Sequence, residues 1–215
     1  MVFTDRNQAG MLLAERLSRY KGKKTIVYAI PRGGITVGDE IAKYLNVPLD
    51  FVLARKIGHP FEPEYAIAAI SENGYIIGDK TILESIENNW LQDAIRRQRE
   101  EIKRRRKMYL IGRDQLSPEK KIAIIVDDGI ATGYTFRVAI QEIKSKHPEK
   151  VIAALPVVSK EMADIIQSEV DELITLTAPP GDEFLGAVGS YYENFPAVED
   201  QEVLTILGNY KNPQL

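Results

Sequence analysis

The chain has no cysteine, so neither a disulfide framework nor a thiolate metal site is available to it. Its two histidines, His59 and His147, are too few for a histidine-rich zinc centre. No apolar run approaches membrane-spanning length. The first residues, Met1 to Asn7, lack the apolar core of a signal peptide, and a cytoplasmic location is expected. A net charge of −3 gives no global reason to expect a nucleic acid partner. Neither G-x-x-x-x-G-K-[ST] nor G-x-S-x-G occurs, and residues 33–38 (GGITVG) lack the glycine order of a dinucleotide fingerprint. Internal repeats and low-complexity segments are absent as well.

What is present is an ordinary globular composition. The 215 residues are 44% hydrophobic and 27% charged, enough for one well-buried domain. Residues 7–19 fit an amphipathic helix, with Met11, Leu12, Ala14 and Leu17 near one face. Strands are expected at 25–30, 49–54, 121–126, 151–157 and 173–176, with helices over 34–45, after 135 and from about 160. Their alternation points to an α/β fold, a mostly parallel twisted sheet with helices on both faces. Asn73-Gly74 between two apolar runs predicts a hairpin. Residues 81–111 interrupt the alternation and read as a helical insertion, with Leu91, Ile95, Ile102 and Tyr109 as its apolar stripe. Pro179-Pro180-Gly181 marks a sharp change, so 178–215 reads as a C-terminal hood within a single domain of 1–215.

The richest stretch is 121–135, KIAIIVDDGIATGYT. It reads as a buried strand, two carboxylates, a small glycine-containing loop and a helix start. Asp127 and Asp128 can accept hydrogen bonds from a vicinal diol, directly or through a cation. The loop Gly129, Ile130, Ala131, Thr132, Gly133, Tyr134 and Thr135 can turn backbone N–H groups toward a phosphate at a helix N-terminus. Asp at a strand end often only caps the next helix, but a pair of acids followed by Gly-Ile-Ala-Thr-Gly is poorly explained that way.

Two other strand ends carry basic residues. Arg32 stands before Gly33 and Gly34, where a backbone can approach an anion closely. Arg55 and Lys56 precede a loop rich in glycine and proline, in which His59 reads as a loop residue. The bland alternatives are a chain turn and a solvated basic loop. The run 96–107 is strongly basic and reads as a solvated helix face, with Glu100 and Glu101 pairing with Lys103 to Arg105. No aromatics are interleaved there, as stacking on a single strand would require.

Residues 121–135 resemble the signature of the type I phosphoribosyltransferases that binds phosphoribosyl pyrophosphate (PRPP). The resemblance implies that Asp127 and Asp128 hold the ribose hydroxyls, with Mg²⁺ bound indirectly, and that 129–135 hold the 5′-phosphate. It implies that Arg32, Gly33 and Gly34 bind pyrophosphate, with a cis peptide at Pro31–Arg32. Arg55, Lys56 and Asp128 are then the catalytic candidates, under a loop over 55–65 that closes on the substrate. Gly129 stands where many members carry an aliphatic residue, which is expected to loosen the backbone. Phe184 is the candidate to stack on the acceptor; filling a small core with Tyr191 and Tyr192 is the alternative. Ala131 replaces the Asp usual in 6-oxopurine enzymes, which argues against hypoxanthine or guanine.

The pattern RKIGHPFEPEYA over 55–66 and the helical insertion are similar to stand-alone members whose acceptor is undefined. The implied activity is Mg²⁺-dependent phosphoribosyl transfer from PRPP to a small nitrogen acceptor such as a nucleobase, with release of pyrophosphate. Neither a nucleic acid nor a membrane is an expected partner, and a homodimer is compatible with the reading. The competing function is a PRPP-sensing regulator that binds nucleic acid through the basic helix.

Overall fold

The structure, a computed structural model, describes residues 1–210. Five strands form a parallel sheet in the order β2-β1-β6-β7-β8. They are β1 (Thr25–Ala29), β2 (Leu49–Phe51), β6 (Ile122–Val126), β7 (Lys150–Val157) and β8 (Glu172–Thr177). The central strands are β-branched and apolar at nearly every position, as burial on both faces demands. Alternation then sorts their side chains: Val27, Ile124 and Ile152 enter one core, and Tyr28, Ile125 and Ala153 the other.

Helices α1 (Arg6–Arg16) and α2 (Gly33–Leu45) pack on the first face, and α5 (Tyr134–Lys144) and α6 (Lys160–Glu169) on the second. Helix α1 buries Ala9, Leu13, Ala14 and, just beyond its end, Leu17. Met11 is exposed, contrary to expectation, because it lies about 200° around the helix from Leu13. Phe136, Ala139, Ile140 and Ile143 of α5 are buried, and each such side chain stabilises the fold by about 1–3 kcal/mol.

The expected strand over 49–54 is two strands. After Phe51 the chain leaves the parallel sheet, and β3 (Ala54–Gly58) begins a second one. There it pairs with β4 (Ala66–Ser71), which pairs with β5 (Ile76–Gly78), all antiparallel. The turn between β4 and β5 contains Gly74 at φ 90°, so the Asn-Gly hairpin forms as expected. Arg55 and Lys56 therefore sit in a strand, and the connection expected to close over the site is only 59–65. The small sheet is held between α5 and α4 (Asn88–Tyr109), which follows the short α3 (Lys80–Ser85).

The face of α4 toward the small sheet buries Ala94, Ile95, Ile102, Arg105 and Tyr109. The basic run is thus only partly solvated: Arg96, Arg97, Arg99, Lys103, Arg104 and Lys107 are exposed, while Arg105 is buried and Arg106 half-buried. Arg106 pairs with Glu72 and lies 5.3 Å from the Phe51 ring centre. After β8 come two 3₁₀ turns and α7 (Asp200–Gly208), which packs on α2 and α4. Residues 211–215 of the expected C-terminal hood lie outside the described residues. Among the described residues no helix is long and apolar enough to cross a membrane.

Candidate functional site

Strand β1 connects onward to β2 on one side and is flanked by β6 on the other. The carboxyl ends of β1 and β6 therefore open at the point where strand order reverses, where ligands of open α/β sheets bind. Ile30 to Gly34 and Asp127 to Thr135 meet there. A cleft of about 310 Å³ is lined by Ile30, Asp127, Thr132 and Thr135 from this side and by Arg55 and Lys56 from β3.

Gly33 and Gly34 are also required by packing. A Cβ on Gly33 would stand 1.9 Å from Asp128 Oδ2, and one on Gly34 2.9 Å from the Val126 carbonyl oxygen. The pair is small because the acidic strand end packs directly against it. Neither glycine lines the cleft. The Pro31–Arg32 peptide is cis, as the resemblance implies.

The two acids are not equivalent. Asp128 accepts a hydrogen bond from Arg6 Nε at 2.8 Å, and its carbonyl oxygen accepts one from the Tyr192 hydroxyl at 2.5 Å. Arg6 is fixed in turn by the Pro196 carbonyl oxygen and by the Phe195 ring, 3.7 Å below it. Asp127 faces the cleft, and its one described hydrogen bond is from the Asp128 backbone N–H at 2.9 Å. Burial, and then the neighbouring Asp128, push the Asp127 carboxyl well above the usual range. Burial also raises Asp128, against the pull of Arg6. Arg6 was missed from sequence. It lies 122 residues from its partner, and no local motif announces it.

The loop after the acids is held by tight packing. Gly129 has φ 146°, and a Cβ there would lie 2.6 Å from both Val157 and Val188 side chains. Glycine at 129 therefore does not loosen the loop; it is the residue that fits. Ile130 N–H bonds the Val157 carbonyl at 3.1 Å, which ties the loop to β7. Gly133 precedes α5 at φ 72° and supplies no side-chain cap. No side chain caps the first N–H groups of α5 by a hydrogen bond, and Thr132 and Thr135 line the cleft beside them. Ala131 is exposed on the cleft wall, whereas Tyr134 is not among its lining residues.

The basic residues surround the open side. Arg55 donates Nε to Gln98 Oε1 of α4 at 3.1 Å. Burial, and then neighbouring Arg105, lower its pKa. Lys56 Nζ lies 2.7 Å from Glu64 Oε2, on the 59–65 connection, and Arg32 Nη1 3.2 Å from Glu199 Oε2. Arg32 is not a lining residue of the cleft. His59 rests against Phe61 and Tyr65 in the connection.

Tyr191 and Tyr192 fill a small core with Phe3 and Val157. Phe184 is half-buried, 5.4 Å from Tyr191 ring to ring, and lies outside the cleft lining. For a metal, the strand end offers two carboxylates. Among the described residues no group of three or more His, Cys, Asp or Glu side chains is arranged so that it could hold a metal ion. That donor set fits a hard cation such as Mg²⁺ only if a substrate supplies most of its oxygens.

The family model of the phosphoribosyl transferase domain matches residues 6–192. Proteins of two Mycobacterium tuberculosis strains, CDC 1551 / Oshkosh and H37Rv, provisionally named phosphoribosyl transferases, are 38% identical over 208 residues, 96% of this chain. The chain spans about half the length of these curated relatives, 46% of each. The crystal structure of TT1426 from Thermus thermophilus is 34% identical, covers 99% of this chain and 100% of its own, and superposes with a TM-score of 0.80.

Proposed function

The chain belongs to the phosphoribosyl transferase family, and from that premise we propose that it transfers phosphoribosyl from PRPP to a small nitrogen acceptor and releases pyrophosphate. The observation that carries this reading is the cleft itself. It has one carboxylate short of partners, an uncapped helix N-terminus with two hydroxyls, and two cations opposite. A ribose carrying a 5′-phosphate and a 1-pyrophosphate needs each of these.

In this mechanism the α5 N-terminus, Thr132 and Thr135 hold the 5′-phosphate. Asp127 accepts from a ribose hydroxyl. Asp128, fixed by Arg6, sets the position of Asp127 and of the loop. The bond from ribose C1 to the pyrophosphate oxygen breaks, the bond from C1 to the acceptor nitrogen forms, and the proton of that nitrogen passes to the departing pyrophosphate or to water. Positive charge grows on the ring and negative charge on the leaving group, so stabilisation is mainly electrostatic. Arg55, Lys56 and Arg32 supply it on the leaving side. Asp127 and Asp128 would hold Mg²⁺ indirectly, through water or ribose oxygens, and the cation would supply further charge neutralisation to the leaving group. Closure of 59–65 toward the cleft excludes water, which would otherwise take the ribose. Phe184 would reach the acceptor only from outside the present lining, and Ala131 offers it no carboxylate.

The test is pyrophosphate release from PRPP with Mg²⁺, screened over purine, pyrimidine and non-base nitrogen acceptors. Acceptor-dependent release is expected. No release above the rate of PRPP hydrolysis with any acceptor, together with no PRPP binding, would contradict the assignment.

A further inference from the structure

We infer that helix α4 completes the anion-binding side of the cleft, with Arg105 as a third guanidinium for pyrophosphate beside Arg32 and Arg55. The inference rests on the proposed function and gives the basic helix a part in it.

Gln98, Glu101, Arg105 and Tyr109 recur at intervals of three and four residues and share one face of α4. Gln98 takes Arg55 Nε at 3.1 Å, and Glu101 takes Arg105 Nε at 2.7 Å. The Tyr109 hydroxyl donates to Asp200 Oδ1 at 2.5 Å, and Arg104 Nη2 to Asp200 Oδ2 at 3.3 Å. The neighbouring Glu199 holds Arg32 at 3.2 Å. One helix face and the start of α7 therefore gather guanidiniums from the β1–α2 loop, β3 and α4.

Arg105 is not needed to satisfy Glu101. Arg104 already spans both oxygens of that carboxylate, at 2.7 and 2.9 Å. The Arg105 side chain is only 11% exposed, yet just its Nε has a described partner. Its terminal nitrogens have no described partner. Of these guanidiniums Arg55 lines the cleft, and Arg32 and Arg105 lie outside its lining, Arg32 on Glu199 and Arg105 on Glu101, while Arg55 is held by the neutral Gln98 and has no carboxylate partner among the described residues. The lowered pKa of Arg55, caused after burial by Arg105 and also by Arg32, agrees with this crowding. A multiply charged anion relieves such crowding, and planar forks suit its oxygens.

The test titrates inorganic pyrophosphate and, separately, ribose 5-phosphate into the full chain with Mg²⁺ present. Arg105→Gln is expected to weaken pyrophosphate about tenfold, as losing a charge-assisted hydrogen bond does, and to leave ribose 5-phosphate unchanged. Arg105→Lys should show an intermediate loss. Glu101→Gln, which frees Arg105, should bind pyrophosphate as tightly as the wild type or more tightly, and carries the test if Arg105→Gln does not fold. Unchanged pyrophosphate affinity in Arg105→Gln overturns the inference. So does an equal loss in Glu101→Gln, which would mark Arg105 as a packing residue. A wild-type chain that binds neither ligand overturns the proposed function itself, a result distinct from either.

Discussion

Helix α5 connects two acidic sites that use the same chemistry to opposite ends. Near its C-terminus Glu142 is 1% exposed and accepts from Ser71 Oγ, Asn73 N and Asn73 Nδ2 at 2.8 to 3.0 Å, with Lys146 Nζ at 3.3 Å. It pins the β4–β5 turn to the helix. Beyond the N-terminus of α5 Asp127 has one described hydrogen bond and a like-charged neighbour. A carboxylate whose donors all come from the chain is structural. One left short of donors in a cleft is where a ligand supplies them. Asp50 sides with Glu142: it is fully buried and accepts from Phe51 N, Leu116 N and Arg113.

The comparison breaks first at Asp127. Asp127→Asn keeps the shape and removes the charge. It should lower turnover about 10²–10³-fold, the effect of losing one preorganised electrostatic group. Pyrophosphate-release kinetics would show it, and unchanged turnover would place Asp127 with the structural acids. Glu142→Ala should do the reverse. It leaves the buried Ser71 hydroxyl without its acceptor and the Asn73 donors to solvent, at a cost of about 1–3 kcal/mol in urea unfolding, while Mg²⁺-PRPP affinity at saturating folded protein holds.

A smaller effect concerns pH. The folded pKa of Asp127 is raised, so the unfolded chain releases that proton first. The stability this group contributes is present below the ordinary aspartate range and is lost as pH rises through its raised folded value. Asp127→Asn should therefore be more stable than the wild type at neutral pH, with the gap closing as pH falls toward the ordinary aspartate range. Melting curves across that range check it. The smallest effect belongs to the exposed Lys56–Glu64 pair: Glu64→Gln should leave stability unmeasurably changed.

Much of this was legible in the sequence, for a local reason. Strand, acid pair, loop and helix follow one another within 121–135, so their order can be read from one stretch of sequence. The 72–75 hairpin was equally local, whereas the cis peptide was expected only from the family resemblance. What stayed hidden depends on residues far apart in the chain. Nothing near Arg6 says that it will claim Asp128. Gly33 is explained only by a carboxylate 95 positions on, reached across the sheet. The break after Phe51 is set by a second sheet that forms further along the chain, and Arg105 looks like its solvated neighbours until α4 is laid on β3.

The most direct measurement is a calorimetric titration of Mg²⁺-PRPP into the wild-type chain and into Asp127→Asn. The account predicts binding to the wild type and affinity at least about tenfold weaker in the variant, the scale of one hydrogen bond to a charged group. Equal affinities would contradict it.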